Sequence, residues 1–237
     1  IQQGNTLSLP PRTFRDSAAT LLPDSWAKRS SKARLAEVVA WERATLLPKH
    51  NLSSGAAIIG SHTTLTSAAW QAFMQLSRRW DANHNESKRG QLLDVLSTQV
   101  TINNKHGDPG SSSKISLLSD NDFQLLTHSK PFPRAWIVRD IEVLPPLIDR
   151  SRQAINQRTH KVFLDNDQPR DLRSISIIEA SEVPALVTSH HARTMKDESC
   201  EVVHYSPQRV EIKVTLASPG YVVLNDAYYP GWRVTRT

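Results

Sequence analysis

The sequence predicts an α+β protein: a mixed α/β region over residues 1–200, then an antiparallel β-meander over residues 201–237 that forms part of a sheet or sandwich. Three observations carry that prediction. Val210, Ile212, Val214 and Leu216 alternate with Glu211, Lys213, Thr215 and Ala217, the period-two pattern of a strand buried on one face. A second strand, Tyr221-Val222-Val223-Leu224, follows Ser218-Pro219-Gly220, a turn tripeptide in which proline fixes φ and glycine accepts positive φ. Upstream, apolar residues recur at helical spacing in several segments with short apolar runs between them, so helices and strands alternate there.

Taken in order, residues 1–30 read as irregular or extended, punctuated by Pro10-Pro11 and Pro23, with a short strand at residues 13–15. Ser30 or Ser31 is a suitable N-cap for a helix to Leu46, with Leu35, Val38 and Val39 on one face and Trp41 as an anchor; Pro48 stops it. A second helix over residues 67–80 places Trp70, Phe73, Ser77 and Trp80 on one stripe, expected to be core. A polar loop over residues 81–88 precedes a third helix, capped by Ser87, that carries Leu92, Leu93, Val95 and Leu96. Strands are expected at residues 100–102, 115–118, 123–126 and 136–143, with a mobile loop over 105–113. Pro145-Pro146 suits the first turn of a further helix reaching Arg158, since the amides proline lacks are orphaned there anyway. Strands follow at 162–164 and 175–178.

Bulk properties narrow the function. The chain has 237 residues, 38% of them hydrophobic, with a mean hydropathy of −0.43. No apolar run approaches the ~18 residues that cross a bilayer. Ile1 is no initiator, and Thr237 falls in what reads as a continuing strand, so the expectation is a water-soluble segment of a longer protein with its meander cut short. Cys200 is the single cysteine, which excludes an intrachain disulfide. The net charge of +6 is spread over 29 Lys and Arg with only short clusters, and no nucleic-acid motif accompanies it; no nucleic-acid partner is expected. Attraction to an anionic lipid surface is a use this charge does fit.

Signatures of chemistry are sparse. No nucleophile elbow, phosphate-binding loop, dinucleotide turn or zinc-protease helix is present. His190-His191, near Cys200 and His204, is the nearest approach to a metal cluster, but adjacent histidines on a regular element point apart. Asp165-Asn166-Asp167 and Asp120-Asn121-Asp122 are explained as turns. The expectation is therefore no catalytic residue, no metal and no cofactor.

Two stretches carry a resemblance. The run SPQRVEIKVTLASPGYVVLNDAYYPGWRV, ending in Tyr228-Tyr229-Pro230-Gly231-Trp232, resembles the C-terminal extracytoplasmic segment of the YfhO family of bacterial polytopic membrane proteins. Pro133-Arg134-Ala135-Trp136-Ile137-Val138 is similar to a second family stretch, with Phe132 where leucine is usual. A looser likeness covers residues 43–103, where Ser97-Thr98-Gln99 departs from the family's glycine. The family is similar to multi-pass glycosyltransferases that use lipid-linked sugar donors. The resemblance therefore implies a non-catalytic extracytoplasmic domain, on the outer face of a bacterial cell membrane, that supports glycosyl transfer to a cell-envelope polymer. Its partners would be the membrane part of the same parent chain and a cell-envelope glycan or anionic lipid surface. The alternative is a free-standing carbohydrate-binding module with Tyr228, Tyr229 and Trp232 as its platform, since such rings stack on sugar faces. Otherwise the Pro-Gly pair makes a tight turn and the rings fill the sheet edge. Arg134 has two readings as well, a ligand's carboxylate or phosphate or a structural pairing.

Overall fold

The computed structural model describes residues 9–15, 23, 26, 28–47, 52, 55–59, 67–82, 86–104, 123–182, 198–227 and 231–236. The larger of two compact units comprises residues 8–132 and 145–172; the smaller includes 133–144 and 173–237. Each is discontinuous in sequence. Helices lie in the larger unit and antiparallel strand pairs occur in both, so the protein is α+β.

The larger unit is built on a four-stranded sheet of β1 (Arg12–Arg15), β2 (Ala57–Ile59), β3 (Thr98–Asn104) and β4 (Phe123–Thr127), in the order β2-β1-β3-β4. β1 runs parallel to both neighbours, and β3 is antiparallel to β4. An interior strand is covered on both faces, which is why successive residues Thr13 and Phe14 are both buried.

Helix α1 (Arg34–Ala44) follows a turn in which Ser31 Oγ accepts from the Ala33 amide and donates to Glu37 Oε1. It buries Trp41, whose ring sits 6.1 Å from that of Trp26. Leu35, expected on the inner face, is 80% exposed; the helix turns Trp41 inward and keeps Val38 and Val39 half-buried. The helix ends on Leu46 at φ 52, with the Leu46 amide bonded to Arg43 O and the Leu47 amide to Glu42 O. That is a Schellman end, with leucine in the left-handed position usually given to glycine. Arg15 Nε donates to Thr45 O at 3.0 Å, tying this end to β1.

Helix α2 (Ala68–Ala82) starts where predicted, with Ser67 Oγ accepting from the Trp70 amide. Its stripe is core: Phe73, Leu76 and Trp80 are buried with Leu92 and Leu164, and Trp70, Met74, Leu96 and Phe163 pack around them. Phe73 meets Phe163 edge-on at 4.8 Å. Helix α3 (Glu86–Val95) contains Ser87 inside its first turn, so Ser87 is no cap.

Helix α4 (Arg152–Phe163) begins later than Pro145-Pro146 implies, because Ser151 caps it by accepting from the Ala154 amide. Asp149 in turn accepts from the Ser151 amide and hydroxyl, bonds that hold its carboxyl below the ordinary value. The helix continues through Val162 and Phe163, which were expected in a strand; Phe163 is drawn into the α2 core. Asn166 (φ 47) and Asp167 (φ 61) then make a two-residue turn between β7 (Leu164–Asp165) and β8 (Gln168–Pro169), the expected role for this acidic triplet.

The smaller unit holds β5 (Ala135–Val138), β6 (Asp140–Leu144), β9 (Ile175–Glu179), β10 (Ser199–Ser206), β11 (Arg209–Thr215) and β12 (Tyr221–Leu224). The single strand expected over residues 136–143 is two, broken at Arg139: β5 pairs antiparallel with β12 and β6 pairs parallel with β9. The meander expected of the C-terminal strands is not formed: β11 pairs antiparallel with β10, and β12 pairs antiparallel with β5. Residues 216–220 are therefore a crossing connection, not a hairpin turn. Gly220 is needed for space, not for positive φ: a Cβ there would lie 3.2 Å from Val138 O and 3.3 Å from Ile137 Cγ2. The sequence boundary at residue 200 falls within β10, because β5, β6 and β9 belong with the C-terminal strands. The expected loop at 105–113 and strand at 115–118 lie outside the described residues.

Phe73→Ala is expected to destabilise the protein by about 3–5 kcal/mol, the range for an aromatic removed from a packed core. Urea unfolding would show it as a lower midpoint with the slope unchanged.

Candidate functional site

Arg134 stands immediately before β5, and its backbone carbonyl accepts from the Asn225 amide at 2.8 Å, extending the β5–β12 ladder by one bond. This brings Asp226 opposite the guanidinium. Arg134 Nη2 donates to Asp226 Oδ1 at 3.0 Å and more weakly to Oδ2 at 3.3 Å. The guanidinium carbon lies 4.7 Å from the Tyr205 ring centroid, at cation–π distance. Arg134 Nε is turned from solvent and has no hydrogen-bond partner among the described residues.

Tyr205 reaches this place through a β-bulge. The β10–β11 register runs Cys200↔Val214 and Val202↔Ile212, then skips Val203 to His204↔Glu211 and Tyr205↔Val210. Strict alternation from Val202 would put Tyr205 on the opposite face. The extra residue restores it to the side of Cys200 and Val202 and leaves Val203 exposed. Tyr205 stays 37% exposed despite covering Arg134.

Of the other predicted site residues, Trp232 is 38% exposed and follows Gly231 at φ 106, so this glycine does take the left-handed turn position. Tyr228 and Tyr229 lie outside the described residues, as do His190 and His191.

At the other end of β5, Arg139 pairs with Glu198 and its Nε donates to Ser218 Oγ at 3.0 Å. Glu198 is 1% exposed at its side chain and also accepts from the Ala217 amide. A carboxylate so far from water requires this full set of donors.

The larger unit holds a group that sequence reasoning missed. Asp94 Oδ1 lies 2.6 Å from His128 Nδ1, and His128 Nε2 lies 2.8 Å from Thr101 Oγ1. With Nδ1–H donating to Asp94, Nε2 is left to accept a hydrogen bond from the Thr101 hydroxyl. Such a carboxylate–imidazole–hydroxyl chain activates nucleophiles elsewhere. Here Thr101 is 3% exposed on β3, between β1 and β4, and so is closed to substrate. The chain instead joins α3, β3 and the end of β4, where the His128 amide donates to Gln99 O and the Phe132 amide to Asp94 O. These residues are 27 and 34 positions apart, with no local motif to announce them.

Among the described residues no three His, Cys, Asp or Glu side chains gather as a metal site, and no helix is long and apolar enough to cross a membrane. Cys200 is half-buried in β10, and desolvation pushes its thiol above the ordinary value. No family model, curated protein or solved structure matches the chain.

His128→Ala leaves Asp94 and Thr101 without their shared partner and is expected to lose about 3 kcal/mol, against about 1 kcal/mol for Thr101→Val. Equal midpoints for the two variants in urea would contradict the linked chain. For Cys200, the raised thiol means that the thiolate fraction is still growing at pH 9. Its reaction rate with a disulfide reagent should therefore keep climbing through pH 9, and a plateau below pH 8 would refute the burial argument.

Proposed function

We propose that this chain is a non-catalytic extracytoplasmic domain of a YfhO-like multi-pass membrane protein, supporting glycosyl transfer to a cell-envelope polymer. The observation that favours this reading is the adjacency of the two stretches that carry the resemblance. Pro133-Arg134-Ala135-Trp136 and Leu224-Asn225-Asp226 are far apart in sequence, yet Ala135 pairs with Leu224 and Arg134 bonds Asp226. Motifs that are neighbours in space describe one structural unit more economically than two coincidences. The +6 charge suits a domain beside an anionic membrane, and the membrane part of the parent would supply the catalytic acid. Trp232, more than a third exposed, favours glycan contact as part of that support, and it equally suits a free-standing carbohydrate-binding module.

Topology tests the proposal. Ile148 is 95% exposed, so Ile148→Cys in a full-length gene product otherwise stripped of cysteine gives a labelling site without disturbing the core. A membrane-impermeant maleimide should label it in intact cells to the same extent as after lysis. Labelling only after lysis would place the domain inside the cell and overturn the reading.

A further inference from the structure

We propose that Tyr205, Arg134 and Asp226 form a subsite for one neutral hexose unit of a glycan. The inference rests on the extracytoplasmic reading for its biological sense and adds a residue, Tyr205, that the sequence motifs do not contain.

Accessibility selects the place. The Asp94–His128–Thr101 chain ends on a hydroxyl closed to solvent, and Glu198 is buried beneath Arg139 and Ser218. The Arg134 cluster is open: Asp226 keeps 23% of its side-chain surface exposed and Tyr205 more than a third of its own. The β-bulge at Val203 sets Tyr205 on this side, and bulges recur where a sheet re-aims a side chain toward a site.

Charge selects the ligand class. The Arg134 guanidinium is paired with the Asp226 carboxylate, which repels an incoming phosphate or carboxylate. An incoming anion would have to displace Asp226 from a ladder end held by the Asn225 and Asp226 amides. A sugar ring meets no such obstacle. Its adjacent hydroxyls both donate and accept, which suits a carboxylate beside a guanidinium. Its apolar C–H face needs an aromatic partner, and the exposed part of the Tyr205 ring provides one. A shallow site of three side chains suits a dissociation constant of about 1 mM, corresponding to roughly −4 kcal/mol.

The test is titration of the 237-residue chain with maltotetraose, cellotetraose and chitotetraose, followed by calorimetry and by tyrosine ring resonances. At least one should bind saturably near 1 mM and still do so in about 1 M salt, where the Debye length is only ~3 Å and ionic attraction is screened. Tyr205→Ala should weaken that binding about tenfold, while Tyr205→Phe, which keeps the ring, should stay within about twofold. If Tyr205→Ala fails to fold by circular dichroism, Asp226→Asn is read in its place, again with about tenfold loss expected. Absence of saturable binding by all three sugars would overturn the proposal. So would a folded Tyr205→Ala or Asp226→Asn variant that binds like the parent, or inorganic phosphate binding more tightly than any sugar. Surface labelling and sugar titration fail independently, so a wrong topology and a wrong ligand remain distinguishable.

Discussion

The smaller unit depends on how one four-residue strand is held. β5 is flanked on both sides by arginine, and each arginine is anchored to an acid from the C-terminal part of the chain: Arg134 to Asp226 and Arg139 to Glu198. Between these clamps, Ala135 to Val138 pair with Leu224 to Tyr221. A four-residue strand has little ladder of its own, so the end clamps decide where it docks. Closing the long intervening loop adds little extra entropy, because that term grows only logarithmically with length.

The two clamps differ in kind. Glu198 is withdrawn from water and receives the guanidinium and the Ala217 amide, so its value lies in geometry: losing either arginine or carboxylate would strand a buried charge. Arg134 and Asp226 are nearer solvent, where an ion pair contributes less. One end of β5 is thus closed and structural, while the other is open and overlaid by Tyr205. Gly220 fits the same frame, since the connection from β11 to β12 passes close enough to the β5 backbone that a Cβ would crowd Val138 O at 3.2 Å.

Much of the local structure was legible in the sequence. The Trp70–Trp80 stripe, the Ser67 start of its helix and the turn at Asn166-Asp167 follow from nearest-neighbour rules, and the structure has each of them; β11 forms as a strand, but Glu211 is half-buried like Val210, Ile212 and Val214, and Leu216 is 38% exposed. Pairing was less legible. Ser218-Pro219-Gly220 looks like a hairpin turn until β12 is seen to leave β11 for β5, and no local signal distinguishes the two. The same holds for Leu46, which ends a helix in a conformation where glycine would have been the cue, and for Val203, whose insertion changes the side on which Tyr205 stands. Arg134 was legible as a residue of interest; its partners were not, because Tyr205 and Asp226 lie far along the chain. Asp94, His128 and Thr101 carried no cue at all, being an ordinary helix residue, a loop histidine and a strand threonine until the fold joins them.

The bracketed pairing of β5 with β12 is tested most directly by cross-strand cysteines in a Cys200→Ser background. Ile137 and Val222 are directly opposite in the observed register, so Ile137→Cys with Val222→Cys should oxidise to a disulfide in the native state. Val214→Cys with Val222→Cys, a pair that chain-order pairing of β11 with β12 would bring together, should stay reduced under the same conditions. Ready oxidation of the second pair and not the first would contradict the account.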